Sequence, residues 1–171
     1  WGPGLRIADV GSGAGFPGLP LKLVEPTAAI DFFDSSGKRV NFLNLVTAQL
    51  KISGAAAYHL RAEEAGRKPE FREKYDLAVS RAVAALPLLL EYCLPLVKTE
   101  GIFIAMKGSS TEEIADSKKA LELLGGKIEE VKEFILPGSN MKRSIIIVRK
   151  LRQTPTKYPR KAGKPSKQPL I

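Results

Sequence analysis

Between Asp9 and Gly18 the chain reads Asp-Val-Gly-Ser-Gly-Ala-Gly-Phe-Pro-Gly. The glycines admit torsions closed to other residues and remove side chains, so main chain can approach a ligand closely. Asp34 ends the next apolar run, about twenty residues on, where a carboxylate of an α/β sheet can accept both hydroxyls of a ribose. Asp31, inside that run, is expected to point outward from the sheet edge. In a shifted frame Gly13, Gly15 and Gly18 satisfy the dinucleotide fingerprint, but the first of them then lies deep in the turn, three residues past Val10. The frame that starts at Gly11, directly after the strand and with Asp9 before it, has the acidic-x-Gly-x-Gly-x-Gly form. Asp34 serves either reading.

That form resembles the first motif of class I S-adenosylmethionine-dependent methyltransferases. In their geometry the Ala62-Glu63 turn lies beside the adenine, although Glu63 also reads as a plain helix-start acid. Arg81, in Ser80-Arg81-Ala82, stands at the mouth where a methyl acceptor would sit. There its planar fork can clamp a carboxylate or phosphate, or pair with a neighbouring acid. Lys38-Arg39 places two cations in the first turn of a helix, against the macrodipole, and reads as a phosphate contact or a solvated face. Lys107 leaves the same two readings open. Cys93 lies in an apolar segment and reads as core filler rather than a nucleophile, and His59 reads as structural or surface. The sequence shows no Ser/His/Asp arrangement and no cluster of metal ligands. Little is on offer for general base work, which suits an acceptor that is already nucleophilic at neutral pH, such as guanine N7.

The elements that must position these residues alternate. Short apolar runs end at Val10, Asp34, Leu60, Ser80 and Lys107, each followed by a helical or polar stretch. Pro17 suits a first helical position, Ser35 or Ser36 can cap a helix with Val40, Leu43, Val46 and Leu50 on one face, and Thr111 can cap another running to Leu124. Ala82–Val97 reads as a buried helix interrupted near Pro87. Lys127–Leu136 and Ser144–Lys150 read as a hairpin closed by Pro-Gly-Ser-Asn. Five β/α units and a hairpin predict a mostly parallel twisted sheet with an antiparallel C-terminal strand and helices on both faces, a Rossmann-like α/β fold.

The chain has 171 residues, 44% of them apolar, which fits one domain with a full core. Nothing approaches the apolar run of roughly 18 residues that spans a membrane. One cysteine excludes a disulfide scaffold and fits a reducing cytoplasm. The opening Trp1-Gly2-Pro3-Gly4 suggests a fragment of a longer protein. Of the 27 Lys and Arg, eight lie in residues 149–171, which contain no Asp or Glu; the other 19 face 18 acidic residues. We therefore divide the chain into a near-neutral domain, 1–150, and a basic Pro-rich tail, 151–171, expected to stay extended or disordered until a polyanion is present. Arg152, Lys157, Tyr158, Arg160, Lys161 and Lys164 are its candidate RNA contacts.

Taken together, Asp9–Leu21, Asp34-Ser-Ser-Gly-Lys-Arg-Val-x-Phe-Leu43, Arg61-Ala-Glu-Glu64, Ser80-Arg-Ala82 and the Thr154-Pro…Tyr158-Pro-Arg-Lys tail resemble the bacterial RsmG family (GidB, glucose-inhibited division protein B). The resemblance spans essentially the whole chain. It implies a cytoplasmic enzyme that uses S-adenosylmethionine to methylate N7 of a guanine in 16S ribosomal RNA of the small subunit, with no metal and no membrane. It also implies that Asp9, Gly11, Ser12, Gly13, Gly15 and Phe16 border the cofactor. Asp34, Ser35 and Ser36 would hold its ribose end, Ala62 and Glu63 flank the adenine, and Arg81 complete the pocket by the acceptor. The family carries a further N-terminal helical segment ahead of the first motif. An NAD-dependent oxidoreductase and a non-catalytic ribosome- or RNA-binding module remain alternatives.

Overall fold

A computed structural model describes residues 3–108 and 111–171. Trp1 and Gly2 lie outside the described residues, as does the side chain of Thr111, at which a helix cap is expected. Five parallel strands, β1 (Arg6–Val10), β2 (Ala29–Asp34), β3 (Ala55–His59), β4 (Tyr75–Arg81) and β5 (Val97–Lys107), join an antiparallel hairpin, β6 (Gly126–Ile135) and β7 (Lys142–Lys150). The strand order is β3-β2-β1-β4-β5-β7-β6, and the mostly parallel sheet with its antiparallel C-terminal hairpin is the one the alternation predicts. Successive strand residues face opposite sides. Ile7, Ile30 and Phe32 therefore pack beneath α1 (Gly18–Val24) and α2 (Gly37–Gln49), while Ala8, Val10 and Phe33 belong to the core on the other face, shared with α3 (Ala62–Ala65), α4 (Leu86–Cys93), α5 (Thr111–Asp116) and α6 (Lys118–Leu124).

Several boundaries differ from the sequence reading. Pro17 precedes α1 rather than starting it, and Ser36 sits at the cap of α2 without a side-chain capping bond. On α2 only Val40 and Leu43 are buried, and Leu50 is exposed. The expected Ala82–Val97 helix is shorter. Pro87 opens α4 instead of interrupting it, because a missing N–H costs nothing in a first turn. That frees Ala82–Ala85 as a loop at the sheet's edge. Asp31 does not point to solvent, since it accepts from Arg6 (3.0 Å) and the Tyr75 hydroxyl (2.7 Å).

The largest departure is the C-terminal segment. Residues 151–171 lie folded against the domain, with Thr154, Tyr158 and Leu170 buried. Arg72 donates to the carbonyls of Thr154 (2.6 Å) and Tyr158 (2.8 Å), and Arg67 donates to that of Pro159 (2.8 Å). Glu91, in the middle of α4 and 1% exposed, accepts from the main chain and guanidinium of Arg160 at 2.6–3.2 Å. A buried carboxylate needs a cation and donors, and the segment provides both. Lys150, counted among the basic residues, is fully buried: its ammonium donates to Glu73 (3.1 Å) and to the carbonyls of Leu94 and Val97. Burial pulls its pKa down to about 8, against the opposing pull of Glu73.

Candidate active site

The strand order reverses between β1 and β4, and ligands of such sheets bind in the crevice beyond the carboxyl ends there. A cavity of about 570 Å³ occupies that crevice. One wall is the glycine turn. Gly11 and Gly13 have φ of +71° and +57°, the left-handed region that disfavours side chains. A Cβ on Gly11 would collide with Val83, so the glycine lets the Ala82–Ala85 loop close over the turn. A Cβ on Gly13 would meet only the Gly11 carbonyl, at 4.0 Å. Gly13 thus leaves space on the cavity side, while the N–H groups of Gly11 and Ser12 are held by the Phe33 carbonyl at 2.8 and 3.2 Å.

Beside the turn stands Asp34, 3% exposed. Its carboxylate accepts from the N–H groups of Gly13 (2.9 Å) and Ser36 (2.8 Å), with Arg39 at 3.5 Å. A carboxylate has about four lone-pair sites, so capacity remains for a ligand hydroxyl. Phe33, Leu60 and Ala62 form an apolar flank, and Tyr92 of α4 closes the rear. Burial, reinforced by Glu63 and Glu91, pushes the Tyr92 hydroxyl up to about 12, so it stays a neutral donor. Glu63 lines the cavity and accepts the Gly163 N–H at 3.1 Å, tying this wall to the C-terminal segment.

Arg81 stands at the rim, exposed, with its guanidinium over the Phe16 ring at 5.6 Å from the centroid. It makes no ion pair among the described residues, so the salt-bridge reading of this residue does not hold. Beyond it, Ala82 has φ of +54°, a strained position for a residue with a Cβ.

The cavity gathers Gly11, Ser12, Gly13, Phe16, Asp34, Ser35, Ala62, Glu63 and Arg81, as expected. Asp9, Gly15 and Ser36 lie outside its lining. Asp9 is fully buried behind the turn, where Oδ2 accepts the Gly18 N–H at 2.8 Å and anchors the start of α1. Its Oδ1 has no partner among the described residues, and burial pushes its pKa up to about 7 despite the Gly18 bond. Gly15 is needed for packing, since a Cβ there would strike Leu19 and Leu43. The Ser12 hydroxyl donates to the Asp9 carbonyl at 2.8 Å and its N–H to the Phe33 carbonyl at 3.2 Å, so Ser12 fixes the shape of the turn.

The expected RNA contacts divide. Lys107 donates to the Ala84 carbonyl (2.6 Å) and pairs with Glu113 (2.8 Å), so its ammonium holds the Ala82–Ala85 loop in place instead of facing a phosphate. Arg160 is engaged by Glu91, Arg152 donates to the Glu122 carbonyl, and Tyr158 is buried under the segment. Arg39 lines the cofactor-side cavity, a place the phosphate reading did not foresee. Lys38, Lys157, Lys161 and Lys164 are exposed. His59 rests on the Ser35 carbonyl at 3.0 Å, and Cys93 is buried with its thiol pushed well up by burial, as the structural readings of both expect. Sequence reasoning missed Leu60, Val83 and Tyr92. One signal was available for Tyr92: the charged Glu91 beside it in an otherwise apolar helix.

The rRNA small subunit methyltransferase G (GidB) family model matches residues 3–146. This chain belongs to that family. A relative named ribosomal RNA small subunit methyltransferase G, from Acetivibrio thermocellus, is 60% identical over 166 residues, covering 97% of this chain and 69% of its own length. One of the same name from Oceanobacillus iheyensis is 52% identical, covering 97% and 70%. Among solved structures, geranyl diphosphate C-methyltransferase from Streptomyces coelicolor, in complex with S-adenosyl-L-homocysteine, superposes with a TM-score of 0.69 at 11% identity, covering 88% of this chain and 74% of that one. At that identity the likeness concerns the fold. Among the described residues no helix is long and apolar enough to cross a membrane.

Proposed function

We propose that this chain forms the cofactor-binding body of a methyltransferase that uses S-adenosylmethionine to methylate N7 of a guanine in 16S ribosomal RNA. One observation carries the reading: the Gly11–Gly13 turn and the Asp34 carboxylate, joined by the Gly13 N–H bond, line one cavity at the strand ends, in a chain of this family. The donor set fits an adenosyl group. Asp34 accepts from a ribose diol, Phe33, Leu60 and Ala62 take the flat purine, and the glycine turn accommodates the amino-acid end. S-adenosylmethionine supplies a methyl group activated by sulfonium sulfur.

The work of this chain is positioning, which is worth on the order of 7–11 kcal/mol in well-oriented systems. Arg81, unpaired at the rim, orients the incoming nucleotide. An acceptor with a free lone pair, such as purine N7, would take up the methyl group that the bound cofactor would supply. No proton has to leave N7, so no general base is required. Calorimetric titration tests the reading: S-adenosylmethionine is expected to bind at micromolar concentration and NAD not to bind, with binding weakened at least tenfold in Asp34→Ala. Binding of NAD alone, or of neither, would overturn it.

A further inference from the structure

A second cavity, of about 660 Å³, adjoins the first and shares Arg81 and Ala82 with it. It lies at the carboxyl ends of β4 and β5, beside the turn end of the β6–β7 hairpin. Met106, Phe134, Leu136 and Ile145 line it, with Arg143 at the edge. Phe134 and Leu136 are 41% and 38% exposed. Apolar side chains gathered around a concave site, rather than scattered, mark a binding surface.

The chemistry of the walls selects the occupant. No Asp, Glu or His lines this cavity among the described residues, whereas Arg81, Lys107 and Arg143 do, so the field favours an anionic ligand. Lys107 is held by Glu113 and Ala84, which leaves the two guanidinium groups. Among the described residues the Arg143 guanidinium donates only to the Lys142 carbonyl (2.8 Å) and the Met141 sulfur (3.4 Å), so donors of its fork remain. An aromatic face beside free guanidinium groups suits a flat base carrying phosphate. Stacking of that kind contributes on the order of 1–3 kcal/mol per base. A base paired in a helix cannot enter such a slot, whereas an unpaired or flipped one can. The absence of a carboxylate or imidazole in the lining also fits an acceptor atom with a lone pair already free.

We infer that this second cavity is the acceptor pocket: one unpaired purine nucleotide of the RNA stacks on Phe134, its phosphate on Arg143, with the reactive edge towards Arg81 and the first cavity. This rests on the function proposed above. The test pairs two measurements on the wild type, Phe134→Ala, Phe134→Tyr and Arg143→Ala. One is calorimetry with S-adenosylmethionine, and the other is transfer of labelled methyl to in vitro-transcribed 16S RNA. Phe134 is exposed, so its removal spares the core. The expected result is that Phe134→Ala and Arg143→Ala raise KM for RNA roughly 10- to 100-fold, that Phe134→Tyr restores it, and that cofactor affinity stays within about twofold. A wild type that methylates RNA with unchanged KM in both alanine variants would overturn the pocket and leave the function standing. A wild type that binds the cofactor and transfers nothing to RNA would overturn both.

Discussion

The glycine turn and the C-terminal segment are each anchored by a buried carboxylate, at very different sequence separations. Asp9 holds the N–H of Gly18, nine residues away, and Glu91 holds Arg160, 69 residues away. In the first case one strand–turn–helix unit contains both partners, and the glycines between them make the close approach possible. In the second, a helix must already be packed on the sheet before the last residues find their acceptor. Local anchoring shapes the ligand-facing main chain. Long-range anchoring fastens the wall where Glu63 accepts the Gly163 N–H.

The sharpest way to break this comparison is Arg160→Ala. It leaves Glu91 buried without a cation, and removing one partner of such a pair costs about 3–5 kcal/mol. Urea unfolding checks it; a loss below about 1 kcal/mol, the range of an exposed pair, would mean that the segment is a surface strap. Asp9 is next. The folded chain holds its proton up to about pH 7, well above the unfolded range. Its contribution is therefore full below the unfolded value and is lost as pH rises towards 7. The swing is up to ~4 kcal/mol at ~1.4 kcal/mol per pKa unit. Asp9→Asn should gain on the wild type as pH goes from 4 to 7, and parallel stability curves would show that Asp9 is not the responsible group.

A smaller effect is expected for Gly18→Ala, whose Cβ would meet Phe32 and, at 2.5 Å, Asp9 Oδ2. Overpacking of this kind costs about 1–3 kcal/mol, read as a lower unfolding midpoint; an unchanged midpoint would show that α1 can lift off the sheet freely. The smallest concerns the exposed lysines. Lys161→Ala and Lys164→Ala should leave stability unaltered, and each should flatten the salt dependence of RNA binding by roughly 0.7–0.9 log units per lost contact. An unaltered slope in both would remove the segment from the RNA interface altogether.

Most of the candidate site was legible because its residues sit at strand ends, and strand ends follow from runs of apolar residues punctuated by Gly and Asp. Asp34 and Arg81 end β2 and β4, and Gly11, Gly13 and Ala62 follow within three residues of the ends of β1 and β3, so parallel pairing brings them together. Asp9, Gly15 and Ser36, expected to border a cofactor, sit in or beside the turns but outside the cavity lining. A motif specifies which residues share a turn, while the side each presents depends on the pleat and on how tightly α1 packs. Tyr92 and Val83 were out of reach, because helix and loop placement over the crevice depends on Pro87, Lys107 and Glu113 acting from separate elements.

The alternating order of the elements, the parallel sheet with its terminal hairpin, and the glycine turn beside Asp34 were determined by the sequence itself. Periodicity, turn chemistry and strand-end position are local properties that survive without knowledge of any distant partner. The course of residues 151–171 was decided only by the tertiary structure. Composition made them a solvated basic arm, since eight cations and no acid from residue 149 onward cannot fold alone. Glu63, Glu73 and Glu91, scattered through the domain, supply the missing negative charge and acceptors. The physical reason is desolvation: a carboxylate already buried by the domain gains far more from Arg160 or Lys150 than one in water does, and nothing in the tail's own sequence reveals that those acceptors are waiting.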